Sequence, residues 1–98
     1  RRADELVQDV LFLDVPSRLL KAILELAESQ GKAGDDGIVI STHLSQTDLA
    51  MLIGATRESV NKWMGYFQRQ GLFHFERSQI TVPDFNKLRL RVQLSTCD

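Results

Sequence analysis

A mainly α fold with a small antiparallel β-sheet is what this sequence predicts, and three stretches carry the prediction. Residues 46–65 (QTDLAMLIGATRESVNKWMG) put Leu49, Ile53, Val60 and Trp63 where two short helices must touch, with small Ala50 at the crossing. Residues 73–82 alternate apolar and polar on both sides of a short polar tip, the period of a β-hairpin. Leu19, Leu20, Ile23, Leu24, Leu26 and Ala27 give residues 15–30 the broad apolar face of a core helix.

Taken in chain order, residues 4–13 (DELVQDVLFL) read as a short amphipathic helix. Asp14 reads as the N-cap of the next helix, with Pro16 tolerated in its first turn and an end near Gln30. The stretch 31–37 (GKAGDDG) reads as a loop from its glycines and charges, and residues 38–40 as a short strand pairing with later ones. Ser45 and Asp48 fit a capping box, with Asp where Glu is usual, opening a helix from Gln46 to Ile53. Gly54 stands where the chain must turn with φ > 0. Thr56 caps a second helix that reaches Gln70 and stops at Gly71. Phe73 and Phe75, a polar tip at 76–79, then Ile80 and Val82 make the hairpin. Asp84 caps a last helix carrying Phe85, Leu88 and Val92, with fraying expected after about Gln93. Helix-turn-helix (45–70) followed by a two-stranded wing (72–82) is a winged helix-turn-helix, here spanning residues 14–98.

Bulk properties narrow the function. Ninety-eight residues suffice for one modest core, and 43% hydrophobic with 26% charged residues is ordinary globular composition. No apolar run approaches the length of a membrane span. The chain starts at Arg1 without a signal-peptide pattern, as expected of a fragment or processed chain. The single cysteine, Cys97, cannot form an internal disulfide, so a reducing, cytoplasmic setting is the default. His43 and His74 are far apart in sequence without partner ligands, so no metal site is expected. Asp35 and Asp36 have no base or nucleophile beside them, so no enzyme is expected.

The net charge of −1 offers little for phosphate neutralisation, and its distribution helps only weakly. Residues 1–40 carry five Lys/Arg against eight Asp/Glu, whereas 41–77 carry four against three. The case for nucleic acid therefore rests on geometry. At about 100° per residue, Val60, Trp63, Met64 and Phe67 share one side of the second helix. Arg57, Glu58, Asn61 and Lys62 share another, about 140° away and within the first two turns. That is the end of a recognition helix that enters the major groove. Arg57 and Lys62 suit guanine O6 and N7, Glu58 suits cytosine N4, and Asn61 suits adenine N6 and N7. A carboxylate facing phosphates is otherwise a liability, which makes Glu58 the most diagnostic of the four; its structural alternative is an acid favoured by the helix dipole.

Ser45, Gln46 and Thr47 at the start of the first helix, and Thr56 and Ser59 at the start of the second, fit phosphate contact. Arg77 and Gln79 at the wing tip fit a flanking phosphate or minor groove, or equally a solvated tip. A winged helix used for protein–protein contact is the alternative function, favoured by the near-neutral charge and opposed by the polar recognition face. An RNA-binding module would call for exposed aromatics, and Tyr66 is the one candidate.

Residues 12–19 (FLDVPSRL), 44–60 (LSQTDLAMLIGATRESV), 65–73 (GYFQRQGLF) and 80–84 (ITVPD) follow one another in the order of a known family. The chain resembles the C-terminal DNA-binding domain of the cyclic-AMP receptor and fumarate–nitrate regulator (Crp/Fnr) family of bacterial transcription factors. The resemblance implies base reading by Arg57, Glu58 and Lys62. The family commonly has Arg at the position of Lys62 and a small residue at that of Asn61, so the preferred half-site is expected to differ. It also implies a homodimer on inverted-repeat double-stranded DNA, with RNA polymerase a candidate further partner. Residues 1–13 would then hold the end of an inter-domain, dimerisation segment and the short helix. The resemblance implies no cofactor in this chain, its effector, with a cyclic nucleotide one candidate, belonging to an N-terminal domain that these residues lack.

Overall fold

Apolar residues recurring every three or four positions make residues 15–30 a helix with one buried face, and the capping and turn residues set the ends of the next two. The computed structural model describes residues 15–41, 44–76 and 79–96. Within them lie four helices and four strands: α1 (Val15–Gln30), β1 (Gly31–Gly34), β2 (Gly37–Ile40), α2 (Gln46–Ile53), α3 (Arg57–Arg69), β3 (His74–Glu76), β4 (Gln79–Val82) and α4 (Phe85–Thr96). The expected helix at 4–13, the cap at Asp14, and His43, Arg77 and Cys97 lie outside the described residues.

The strands form one antiparallel sheet in the order β1-β2-β4-β3. In the β2–β4 pairing Ile40 stands opposite Ile80 and Ile38 opposite Val82, so their side chains share one face of the sheet. That face meets the core, where Ile40, Ile80 and Val82 are buried. Helix α1 is the hub. It packs against β2, α2, α3 and α4 through Leu19, Leu20, Ile23, Leu24 and Ala27, all buried.

Two elements differ from expectation. Residues 31–37 are not an irregular loop: β1 pairs with β2 across a two-residue turn at Asp35 and Asp36, with Gly34 opposite Gly37. Lys32, Ala33 and Gly34 are exposed, so the pairing rests on backbone bonds and leaves no apolar alternation in the sequence. Gly37 has φ 121°, and a Cβ there would run into the Val82 carbonyl oxygen and lie 2.7 Å from Pro83 Cα. That glycine lets the hairpin lie flush against the end of β4. The last helix also continues to Thr96 instead of fraying after Gln93. Leu88 and Val92 anchor it, while Leu94 beyond them is exposed.

Candidate nucleic-acid interface

The pair α2–α3 is built by its caps. Ser45 has extended backbone, and its Oγ accepts from Asp48 N at 3.1 Å while Asp48 Oδ2 accepts from Ser45 N at 3.0 Å. The reciprocal capping box is therefore complete, as the sequence implies. At the other end Gly54 adopts φ 71°, ψ 43° and donates its N–H to the Ala50 carbonyl, which also accepts from Ala55 N at 2.9 Å. This left-handed cap turns the chain sharply, and Thr56 reopens a helix by accepting from Ser59 N at 3.1 Å. Leu49 and Val60 are fully buried and Ala50 nearly so, and these small and branched side chains fix the crossing of the two helices.

The faces of α3 separate as its periodicity requires. Val60, Met64 and Phe67 are buried, whereas Arg57, Glu58, Asn61 and Lys62 are all exposed. Trp63, expected in the core, is half-buried at the border between the faces. Its ring meets Tyr66 edge-on at 5.2 Å and Phe67 at 6.1 Å, and Lys62 Nζ stands 5.0 Å from its centroid. The ammonium is thus held near the helix by its neighbour, while the other three base-reading candidates project from the first two turns.

Two residues that sequence reasoning gave no role hold this helix pair in place. Arg18 on α1 donates its Nε to the Ile53 carbonyl at 2.9 Å, occupying a carbonyl that the end of α2 leaves without a helical partner. Helical spacing gave a faint signal, since Arg18 stands one turn before Ala22, which is buried, on the same flank of α1. Gln68 on α3 accepts from Phe75 N through Oε1 at 2.7 Å and so ties the wing to the recognition helix. No periodicity could reveal Gln68, because its partner is a backbone group across a turn.

The expected phosphate contacts fall in three places. Gln46 and Thr47 lie in the first turn of α2, where amides have no helical acceptor, and Thr47 is exposed. Ser45 is exposed, but its hydroxyl also lies 3.1 Å from Asp48 Oδ2 and is committed to the capping box. Thr56 is exposed and Ser59 half-buried at the mouth of α3. Gln79 is the first residue of β4, exposed and opposite Glu76, so the wing meets solvent with a carboxylate beside its amide. Among the described residues no cluster of His, Cys, Asp or Glu could hold a metal ion, and no helix is long and apolar enough to cross a membrane.

A helix pair with a buried crossing, an exposed polar face on the second helix and a hairpin pinned beside it define a winged helix-turn-helix domain. Residues 17–91 match the Crp-like helix-turn-helix domain family. The chain belongs to that family. It is 32% identical over 93 residues to a CRP-like cAMP-activated global transcriptional regulator of Mycobacterium tuberculosis, covering 95% of this chain and 42% of that protein. It is 29% identical over 98 residues to the anaerobic regulatory protein of Bacillus subtilis, covering 99% of this chain and 41% of that one. The chain thus spans about two fifths of the length of these relatives. In fold it is similar to the CO-dependent transcription factor CooA of Carboxydothermus hydrogenoformans, with a TM-score of 0.74 at 22% identity over 87% of this chain and 39% of that one. A Crp/Fnr-family transcriptional regulator of Thermus thermophilus superposes with a TM-score of 0.74 at 22% identity, over 94% of this chain and 47% of its own.

Proposed function

We propose that this chain is the sequence-specific DNA-reading domain of a Crp/Fnr-type bacterial transcriptional regulator. One observation carries the reading: Arg57, Glu58, Asn61 and Lys62 are exposed together on the first two turns of α3, opposite the buried Val60, Met64 and Phe67. A helix held so firmly on one side and so polar on the other fits the major groove, and its four side chains can address guanine, cytosine and adenine. Family membership supports the same function. Arg57 and Lys62 donate to guanine, Glu58 accepts from cytosine and Asn61 pairs with adenine, while the helix starts at Ser45–Thr47 and Thr56–Ser59 rest on phosphates, with Arg77 and Gln79 flanking them. The working form is a homodimer on an inverted repeat in the cytoplasm, with RNA polymerase as a further partner. The effector is sensed outside these 98 residues, and the domain itself performs no catalysis.

An amide NMR titration of the labelled chain with a short palindromic duplex, at low and then higher salt, tests the proposal. The expected result is shifts concentrated at residues 45–47 and 56–62 that weaken as salt rises. An absence of shifts from both the chain and an artificially dimerised form, with the fold intact, would defeat the DNA reading and favour a protein partner.

A further inference from the structure

The polar face of α3 does not end after two turns. At about 100° per residue, Gly65 lies about 20° to one side of Glu58 and Arg69 about 20° to the other. Both therefore continue the direction of the base-reading side chains into the third and fourth turns. Gly65 is an unusual choice there, because nothing in the packing demands it. A Cβ at Gly65 would meet only Arg69 Nη1, at 3.4 Å, an ordinary contact. Gly in a helix interior costs about 0.5–1 kcal/mol relative to Ala, so the position spends stability without a steric reason from the core.

The same distance shows where Arg69 goes. Its guanidinium reaches back one turn and lies over Gly65, as long helical side chains do. Arg69 is exposed, and among the described residues no carboxylate or carbonyl holds it. By the helical rise, the guanidinium then stands about 10 Å along the axis from the level of Glu58. The major groove is about 12 Å wide, so a helix that enters by its first two turns carries its third and fourth turns toward the sugar–phosphate backbone. Here a half-buried glycine leaves the helix backbone without a side chain and is crossed by a guanidinium that no other described residue holds.

We infer that Gly65 and Arg69 form a phosphate clamp at the exit end of the recognition helix. Gly65 removes the side chain that would hold the strand away, and Arg69 supplies a cation to the phosphate that comes close. The inference rests on α3 lying in the major groove. It also adds a cation to an interface otherwise short of them, since Asp48 and Glu58 offset much of what Arg57 and Lys62 contribute.

The test measures salt-dependent binding of the 98-residue chain to labelled random-sequence duplexes by anisotropy, comparing Arg69→Gln, Arg69→Lys, Gly65→Ala and Gly65→Leu. Arg69→Gln should weaken binding several-fold at low salt and reduce the slope of log K against log salt by about 0.9 per chain bound. Arg69→Lys should restore the slope, because a phosphate accepts any cation. Gly65→Leu should raise the melting temperature through helix propensity yet weaken binding, whereas Gly65→Ala should raise it with binding kept. Selection from a random duplex pool with Glu58→Ala runs in parallel. If Glu58→Ala alters the selected sequence while Arg69→Gln leaves the slope unchanged, the clamp is overturned and the groove reading stands. If Arg69→Gln weakens one sequence alone, the phosphate assignment is overturned in favour of a base contact. If the wild-type chain binds no duplex even when dimerised, the clamp falls together with the groove reading.

Discussion

Replacing Arg18 by Met removes at least the guanidinium's bond to the Ile53 carbonyl while leaving a stem of similar length to cover α1. The bond runs from Arg18 Nε to the Ile53 carbonyl at 2.9 Å and joins positions 35 apart. A hydrogen bond from a charged donor contributes about 1.5–3 kcal/mol. Arg18 and Ile53 are both half-buried, so water can reach the carbonyl once the guanidinium is gone. That places this bond's share of the loss at the low end, about 1.5–2 kcal/mol. Favourable interaction with the negative end of the α2 dipole belongs to the same contact and is not a separate contribution. For a domain of this size, about 4–8 °C per kcal/mol converts the loss to a fall in Tm of roughly 6–16 °C.

The assay is urea unfolding followed by the fluorescence of Trp63, the single tryptophan, which sits at the edge of the core. The midpoint should fall with the m-value unchanged, because the same surface is exposed on unfolding. Arg18→Lys, which keeps the charge but not the planar donor, should recover less than half of the loss. A loss below about 0.5 kcal/mol, the scale of an ordinary surface substitution, would refute the argument that Arg18 secures the end of α2. Full recovery by Lys would show that charge matters and Nε geometry does not.

Gly37→Ala should destabilise by more than about 2 kcal/mol in a thermal melt, because the new methyl collides with the Val82 carbonyl at a positive φ; an unchanged Tm would mean that the β2–β4 junction yields freely. Glu58→Ala should relax base preference at one position of selected duplexes more than it lowers overall affinity, since it removes a repelling, base-reading acid. A uniform change across all sequences would argue against the base contact. Lys62→Ala should cost about 1–3 kcal/mol at a cognate site measured by anisotropy, and equal loss on random DNA would reassign Lys62 to phosphate.

The parts of the fold that were legible in the sequence are those that side chains specify. Ser45, Asp48, Gly54 and Thr56 each carry a local signal, and each takes the cap or turn that its chemistry favours. The buried positions Val60, Met64 and Phe67 follow from helical period alone. What backbone pairing specifies was not legible: β1 exposes its side chains and sits in a glycine-rich stretch, so nothing but a partner strand distinguishes it from a loop. The same limit hid Arg18 and Gln68, whose partners are main-chain groups on other elements. Trp63 was misread by degree, because an angle assigns a residue to a side of a helix but not to a depth.

The packing of α3 is carried by Val60, Met64 and Phe67, by the aromatic contact of Phe67 with Phe73 at 6.1 Å, and by the Gln68 bond to the wing. Arg57, Glu58 and Asn61 are exposed, and the cation–π contact of Lys62 with Trp63 is a surface one. Exposed substitutions of this kind shift stability by about 0.5 kcal/mol or less, whereas a wrong base costs about 1–3 kcal/mol of affinity. On the proposed reading, sequence preference can therefore change at these four positions with little effect on folding. The capping box is different: Ser45 starts α2 and is also a proposed phosphate contact, so on that proposal its substitution alters stability and binding together. Within one helix pair, the face proposed to discriminate between bases is decoupled from the fold, and the helix start proposed to meet the DNA backbone is not.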